Sequence, residues 1–387
     1  MEYCVDNKSN KKRFSLQKSD VSAVWLAHLL WEQRVGGSNP SRPTSFPPPD
    51  KKMKKIPLLT ATVAAILTFF ASALLAETKI ACIGDSITFG YLIPTRDADN
   101  YPKQLGKLLG DEFEVRNFGN PGKTCGDYPS QKNRRRWLGD NAEHKNGTAW
   151  QADVYICNLG INDTGAWWDE KLFVSGYERL IEDWVGGRKG VSLLMWTKLA
   201  PDFRGPDGKA TFPGNVFLPE FSFPKQDNGS AKNRPAAEKL LAKIAKKYKA
   251  HAIDAYTPLA AHPEFYLPDG LHPNALGAKR LAEITFAELV KADLPKIKIP
   301  QAKPQLVPAK DGKSITLKNK SDVAVLLDGA SLRNGKTAFV FENATVIPPH
   351  GEIVVSLGGK QDRKDPAKPL VSSKLKRASG VKYVPAN

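Results

Sequence analysis

The sequence predicts an α/β fold: a three-layer arrangement in which helices cover both faces of a parallel sheet, joined to a small C-terminal β-sandwich. Two observations carry the first part. Apolar runs of strand length alternate with stretches of helical periodicity from about Lys79 to Val290, and alternation of this kind builds parallel sheets. The residue types with the most chemistry fall just after those strands, where open α/β sheets bind ligands. A third observation carries the second part: beyond residue 312 the helical period stops and short β-rich runs separated by turn residues begin.

In order, Lys79–Ile83 reads as the first strand and leads into Ser86. Asn100-Tyr101-Pro102 opens a helix with Leu105, Leu108 and Leu109 on one face. Phe113–Asn117 and Val154–Leu159 are the second and third strands. A helix through Tyr177, Leu180, Ile181 and Trp184 ends at Gly186-Gly187, and Val191–Trp196 is the fourth strand. Pro235 suits the first position of a helix reaching about Lys249, Ala252–Asp254 is a short strand, and a last helix runs from Ala275 to Val290. Two long loops, 124–151 and 198–233, are expected to wall a pocket. A Pro- and Lys-rich stretch, 293–311, reads as a linker. The strands 314–318, 323–327, 338–341 and 352–355 give a small domain over 312–358, and 359–387 is expected to be a poorly ordered tail.

The N-terminal end has a different character. Residues 1–52 are polar, basic and Pro-rich, and Gly37-Ser38-Asn39-Pro40 is what an in-frame reading of a transfer-RNA T-arm would encode; a non-native extension is expected there. From Met53, two lysines precede an apolar run and a small-residue end at Ala71–Ala76, the order of a secretory signal peptide. The apolar run approaches the ~20 residues of a membrane span, but Thr60, Thr62, Thr68 and the small residues favour cleavage after Ala73 or Ala76. An exported protein starting near Glu77, secreted or periplasmic, is the expectation.

Charge follows the same division. The 57 Lys and Arg exceed the 40 Asp and Glu, a net +17, yet residues 77–290 hold 28 against 27. The excess lies in 301–387, with 15 against 7, a face for acidic polysaccharide or an anionic cell surface. Export and the lack of a reading motif exclude nucleic acid as the expected partner. Cys82, Cys125 and Cys157 remain after trimming, an odd number, with Cys82 and Cys157 on core strands; buried thiols are expected, with one disulfide as the alternative.

The chemistry-bearing stretches are Ile83-Gly84-Asp85-Ser86-Ile87-Thr88, Asn117-Phe118-Gly119-Asn120-Pro121-Gly122-Lys123-Thr124, Gly160-Ile161-Asn162-Asp163 and Asp269-Gly270-Leu271-His272-Pro273-Asn274. A serine hydroxyl needs a base, and a histidine serves best when a carboxylate fixes its tautomer. Ser86 is the candidate nucleophile, His272 the base and Asp269 its orienting carboxylate, with Asp254 as a fallback. An Asp-Ser at a helix start is also an ordinary N-cap. Other motifs fail: Gly122-Lys123-Thr124 lacks the earlier glycine of a phosphate loop, which here is Asn117. No Gly-x-Ser-x-Gly elbow is present, and no cluster has metal-ligand spacing, so neither metal nor cofactor is implied.

Together and in this order, the four stretches resemble the sequence blocks of the GDSL, or SGNH, esterase family, from about Lys79 to Val290. The resemblance implies an SGNH/flavodoxin-like fold over 77–292 and an oxyanion hole formed by the Ser86 N–H, the Gly122 N–H and the Asn162 amide, with Gly119 the weaker choice for the glycine. It also implies that Asp163 holds its loop. The family includes carbohydrate O-acetylesterases, lysophospholipases, thioesterases and arylesterases. Export, and Trp167 and Trp168 as sugar-stacking or loop-packing side chains, favour a carbohydrate O-acetylesterase. A lipid acyl hydrolase, with Phe203, Phe212, Phe217, Phe221 and Phe223 lining a groove, is the alternative; a non-catalytic surface-binding protein is the reading from another class. The C-terminal part is weakly similar to lamin-tail-like domains through its Pro348-Pro349-His350-Gly351 turn.

Overall fold

The computed structural model describes residues 77–129, 141–201, 203, 229–292, 294–295, 297–359 and 370–386. The expected N-terminal extension and signal peptide lie outside them, as do 130–140 and 204–228 of the two long loops.

Five strands, β1 (Thr78–Gly84), β2 (Phe113–Gly119), β3 (Val154–Asn158), β4 (Ser192–Trp196) and β5 (His251–Ile253), form one parallel sheet in the order β2-β1-β3-β4-β5. This is the flavodoxin-like order, whose switch point lies between β1 and β3. β3 and β4 are buried along their whole length, as strands covered on both faces must be. Their neighbour β1 divides its side chains between the faces: Ile80 and Cys82 enter one core, Ala81 and Ile83 the other.

The helices are α1 (Ser86–Phe89), α2 (Arg96–Asp99), α3 (Tyr101–Leu109), α4 (Ala142–Ala149), α5 (Glu170–Val185), α6 (Gly229–Lys247) and α7 (Ala275–Lys291). Helix α3 starts at Asn100, whose side chain accepts the Lys103 N–H at 2.9 Å, with Pro102 in its first turn. Its Leu105, Leu108 and Leu109 join Leu281, Ala282 and Phe286 of α7 on one face of the sheet. On the other face Phe173, Tyr177, Leu180 and Trp184 of α5 meet Leu241 and Ile244 of α6. Burying one such side chain contributes ~1.5–3 kcal/mol, so these two layers hold the sheet. Helix α6 begins at Gly229, six residues before Pro235, which lies inside it rather than at its first position. Cys82, Cys125 and Cys157 are buried and unpaired, and burial pushes the Cys82 and Cys157 thiols up to about 12.

Beyond α7 the described residues form nine short strands: β6 (Gln305–Pro308), β7 (Ser314–Lys318), β8 (Val325–Leu326), β9 (Ser331–Asn334), β10 (Thr337–Val340), β11 (Val346–Ile347), β12 (Glu352–Leu357), β13 (Leu370–Ser372) and β14 (Lys382–Val384). They make three small sheets, β13-β12-β7-β6, β10-β9-β14 and β11-β8, around a core containing Leu317, Leu332, Phe341, Ile347 and Val355. Two expectations are corrected here. The unit does not stop at 358: β13 pairs with β12 and β14 with β9, so 370–384 is structured rather than a loose tail. The 293–311 stretch contributes β6 and packs buried Ile297 on the main core. The unit keeps this core of its own, while Val323, Ala324, Ala344 and Val346 join the cluster that includes α3 and α7.

Hydrogen bonds reinforce that junction. The Arg280 guanidinium donates to the Ala344 and Asn343 carbonyls at 2.7 Å each, and the Ala324 N–H donates to the Leu108 carbonyl at 2.8 Å. Gly110, at φ 78°, lets the two backbones meet: a Cβ there would lie 2.5 Å from the Asp322 carbonyl oxygen.

Candidate active site

The four sequence blocks converge at the carboxyl ends of β1, β2, β3 and β5. Ser86 is the first residue of α1, directly after β1, and Asp85 is its N-cap, accepting the Ile87 N–H at 2.9 Å. The short turn of helix therefore presents the Ser86 hydroxyl at the switch-point crevice. The Asn120 N–H donates to the Gly84 carbonyl at 2.9 Å, which ties the loop after β2 to the end of β1.

Asp269, Gly270, Leu271 and His272 form a tight local unit. Asp269 Oδ1 accepts the backbone N–H groups of Leu271 and His272 at 3.0 and 2.9 Å, while Oδ2 accepts the hydrogen bond of His272 Nδ1–H, with nitrogen and oxygen 2.5 Å apart. A carboxylate only accepts, so it fixes the proton on Nδ1 and leaves Nε2 as an acceptor. Nε2 lies 2.8 Å from Ser86 Oγ. Burial pushes the Asp269 carboxyl up, but the His272 hydrogen bond and charge and the two backbone N–H groups outweigh it and hold its pKa below the ordinary value. The carboxylate is thus ionised where its charge steadies an imidazolium. His144, His251, His262 and His350 pair instead with Asp183, Glu288, Glu264 and Asp322. Asp254 accepts the Thr257 N–H at 2.9 Å and caps a turn, so the fallback carboxylate is a structural one.

Asn162 meets the first two blocks. Its amide Nδ2 donates to the Lys123 carbonyl at 3.1 Å and to Asp85 Oδ2 at 3.3 Å, so three blocks meet at one side chain. Gly122, beside Lys123, has φ 74°, and among the described residues nothing lies within 4 Å of where a Cβ would be. Among the described residues no acceptor takes its N–H. The Ser86 N–H is likewise a helix-start donor with no intrahelical partner. Asp163 holds a loop other than its own: its buried carboxylate accepts the Cys125 and Gly126 N–H groups and the Tyr128 hydroxyl, pinning the 125–128 segment.

The two tryptophans divide. Trp167 is half-buried and its indole N–H donates to the Asn162 carbonyl at 3.2 Å. Trp168 packs on Phe173, ring centroids 4.9 Å apart, against the α5 core. Phe203 donates its N–H to the Gly270 carbonyl at 2.8 Å and meets Tyr266 edge-on, beside the Asp269–His272 turn. Phe212, Phe217, Phe221 and Phe223 lie outside the described residues.

Two participants were not singled out in the sequence. Tyr91 places its ring 5.1 Å from that of His272 and remains 39% exposed. Asp85 is the other: burial pushes its carboxyl up to about 7, with nearby Asp163 adding to the rise and the Ile87 N–H and His272 opposing it. A carboxyl whose pKa is higher folded than unfolded binds more protons in the native state. Stability is then fully present below the ordinary value near 4 and is lost as pH rises toward 7. Replacing Asp85 by Asn should remove a slope of up to about 1.4 kcal/mol per pH unit in that window. Urea unfolding of both proteins from pH 4 to 8 reads it, and identical slopes would contradict the assignment.

A hydroxyl held by a carboxylate-oriented imidazole, in a cluster with an amide and two backbone donors from neighbouring loops, is an arrangement for attack on a carbonyl and for holding the oxyanion that forms. Comparison with known proteins is consistent with this. The description of the GDSL-like Lipase/Acylhydrolase family matches residues 82–280, just over half of the chain. The chain belongs to this family. A relative, the acetylxylan esterase of Xylanibacter ruminicola, is 29% identical over 219 residues; the match covers 53% of this chain and 42% of that protein, so the chain spans less than half of its length. Solved structures resembling the family domain include the M. smegmatis aryl esterase, at 18% identity and TM-score 0.40, covering 55% of this chain and 98% of that one. Another is the carbohydrate acetylesterase Est24 of Sinorhizobium meliloti, at 17% identity and TM-score 0.40, covering 56% and 99%. The matched segment contains all four blocks, Ser86, Gly122, Asn162 and the Asp269–His272 pair.

Proposed function

We propose that this protein is an exported serine esterase that removes O-acetyl groups from carbohydrate. The observation that carries the reading is the hydrogen-bonded line from Asp269 through His272 to Ser86 Oγ, with the Asn162 amide bonded to Asp85, the residue before Ser86. In the first half-reaction Ser86 Oγ attacks the ester carbonyl and its proton passes to His272 Nε2. The oxyanion is held by the Ser86 and Gly122 N–H groups and the Asn162 amide. His272 then returns the proton to the departing sugar oxygen, leaving an acyl-Ser86. In the second half-reaction water attacks that acyl group with His272 as base, acetate leaves, and the Ser86 hydroxyl is restored.

The substrate class rests on the acetylxylan esterase relative and on the signal-peptide pattern of 53–76, which would deliver the enzyme to extracellular polysaccharide. The basic excess of 301–387 supports contact with acidic polysaccharide or an anionic cell surface.

Acyl-chain preference tests the reading. The purified protein should hydrolyse 4-nitrophenyl acetate with a kcat/KM at least about tenfold above that for the octanoate ester, and should release acetate from acetylated xylan; the octanoate as the better substrate would move the assignment to lipid esters. A difference of that size needs about 1.4 kcal/mol, within what a pocket delivers by excluding methylenes.

A further inference from the structure

Of the four exposed large hydrophobic residues among those described, three flank the Ser86–His272 pair in sequence: Tyr91, Leu92 and Leu276. Tyr91 is fixed there by its N–H, which donates to the Ser86 carbonyl at 2.9 Å, and its ring lies against His272. Leu92 follows at φ 63°, a left-handed turn that sends the chain outward. That turn opens a surface cleft of about 490 Å³ bordered by Gly90, Leu92, Thr95, Arg96 and Asp97.

The cleft has a mixed character. Arg96 pairs with Asp97 at 2.6 Å while its guanidinium lies 4.2 Å from the centre of the Phe89 ring. Arg96 Nε and Nη2 donate to Asp97 Oδ1, so the Nη1 donors and Asp97 Oδ2 are the groups that complement the vicinal hydroxyls of a sugar, whereas an acyl chain placed there would desolvate both charges. Position decides which half of the ester arrives. His272 Nε2 must deliver its proton to the leaving oxygen, so the alcohol lies on the His272 side of Ser86, the side that Tyr91 covers. A partly exposed aromatic ring offers an apolar face to the C–H face of a pyranose.

We infer that Tyr91 and the Arg96–Asp97 cleft form a subsite for the sugar units next to the acetylated one, so that the preferred substrate is an acetylated oligosaccharide or polysaccharide rather than an acetylated monosaccharide. The inference rests on the carbohydrate esterase reading above. It assigns the cleft to the alcohol portion, and the acyl group to the opposite side of Ser86.

The test is acetate release from O-acetylated xylo-oligosaccharides of one to four units, with kcat/KM measured at each length for the wild type, Tyr91→Ala, Tyr91→Trp and Asp97→Ala. The wild type is expected to gain about tenfold or more from one unit to three. Tyr91→Ala and Asp97→Ala should compress that gain to within about threefold, and Tyr91→Trp, which keeps a stacking face, should retain most of it. Asp97 is exposed, so its replacement leaves the fold intact even if the Tyr91 variants prove unstable. A wild-type profile flat with length would overturn the subsite while leaving the esterase, and so would a gain that survives both alanine variants. No acetate from any length, with no turnover of simple acetate esters, would instead remove the esterase reading and the subsite with it.

Discussion

Replacement of Ser86 by Ala is expected to lower kcat on 4-nitrophenyl acetate by about 10⁴-fold or more, with the folded structure intact. The size follows from how the hydroxyl is held. Ser86 Oγ lies 2.8 Å from a histidine nitrogen whose proton-accepting state is fixed by a buried, ionised Asp269, and among the described residues no second hydroxyl shares that nitrogen. Groups that act as one unit lose nearly everything when one member is removed, so His272→Ala should cost a similar factor and the double variant little more. Parallel thermal unfolding of the wild type and Ser86→Ala separates lost chemistry from lost fold. A variant retaining a tenth of wild-type turnover would assign the hydrolysis to another group.

Asn162→Ala is the second large effect, a fall of about 10²–10³ in kcat with a much smaller change in KM. Losing one preorganised oxyanion donor costs ~2.7–4 kcal/mol of barrier, and the split between kcat and KM follows because the oxyanion exists only in the transition state. The free site adds a refinement. Both Asn162 amide contacts are already made, to the Lys123 carbonyl at 3.1 Å and to Asp85 at 3.3 Å, and the longer of the two is the easier to exchange for an oxyanion. Removing the amide also deprives buried Asp85 of a partner, so a modest loss of stability, ~1–2 kcal/mol, should accompany the kinetic loss. Steady-state kinetics at saturating acetate ester measures the effect. A loss below fivefold would mean that the oxyanion rests on backbone N–H groups alone.

The clustering of the candidate residues was legible because they sit in short, local patterns at strand ends. Asp269 and His272 lie three residues apart on one turn, so their pairing depends little on distant packing. Ser86 is delivered by a strand of buried residues and capped by its own neighbour, Asp85. The alternation of strands and helices likewise gave the parallel sheet, because a buried parallel strand must be apolar throughout and its crossover helix amphipathic.

What stayed hidden depends on contacts between distant residues. Tyr91 carries no motif; its relevance comes from meeting His272, 181 positions away, across the switch-point crevice. Helix α4 has almost no apolar face and reads as loop. The final strands are three residues each and surrounded by lysines, yet β14 finds β9, and pairing at that separation leaves no periodic trace in so short a run. The supposed linker differs for a related reason: isolated Ile297 and Ile299 among prolines and lysines become core residues only once α3 and α7 are assembled beneath them.

The most direct measurement of the central claim is covalent capture of the nucleophile. The protein is treated with diisopropyl fluorophosphate, which phosphorylates a serine activated by a histidine, and is then weighed intact and mapped by peptide mass. One adduct per chain, located on Ser86, formed in step with loss of esterase activity and absent from His272→Ala, is the result this account predicts. A protein that hydrolyses acetate esters but carries no adduct, or carries it on another serine, would contradict it.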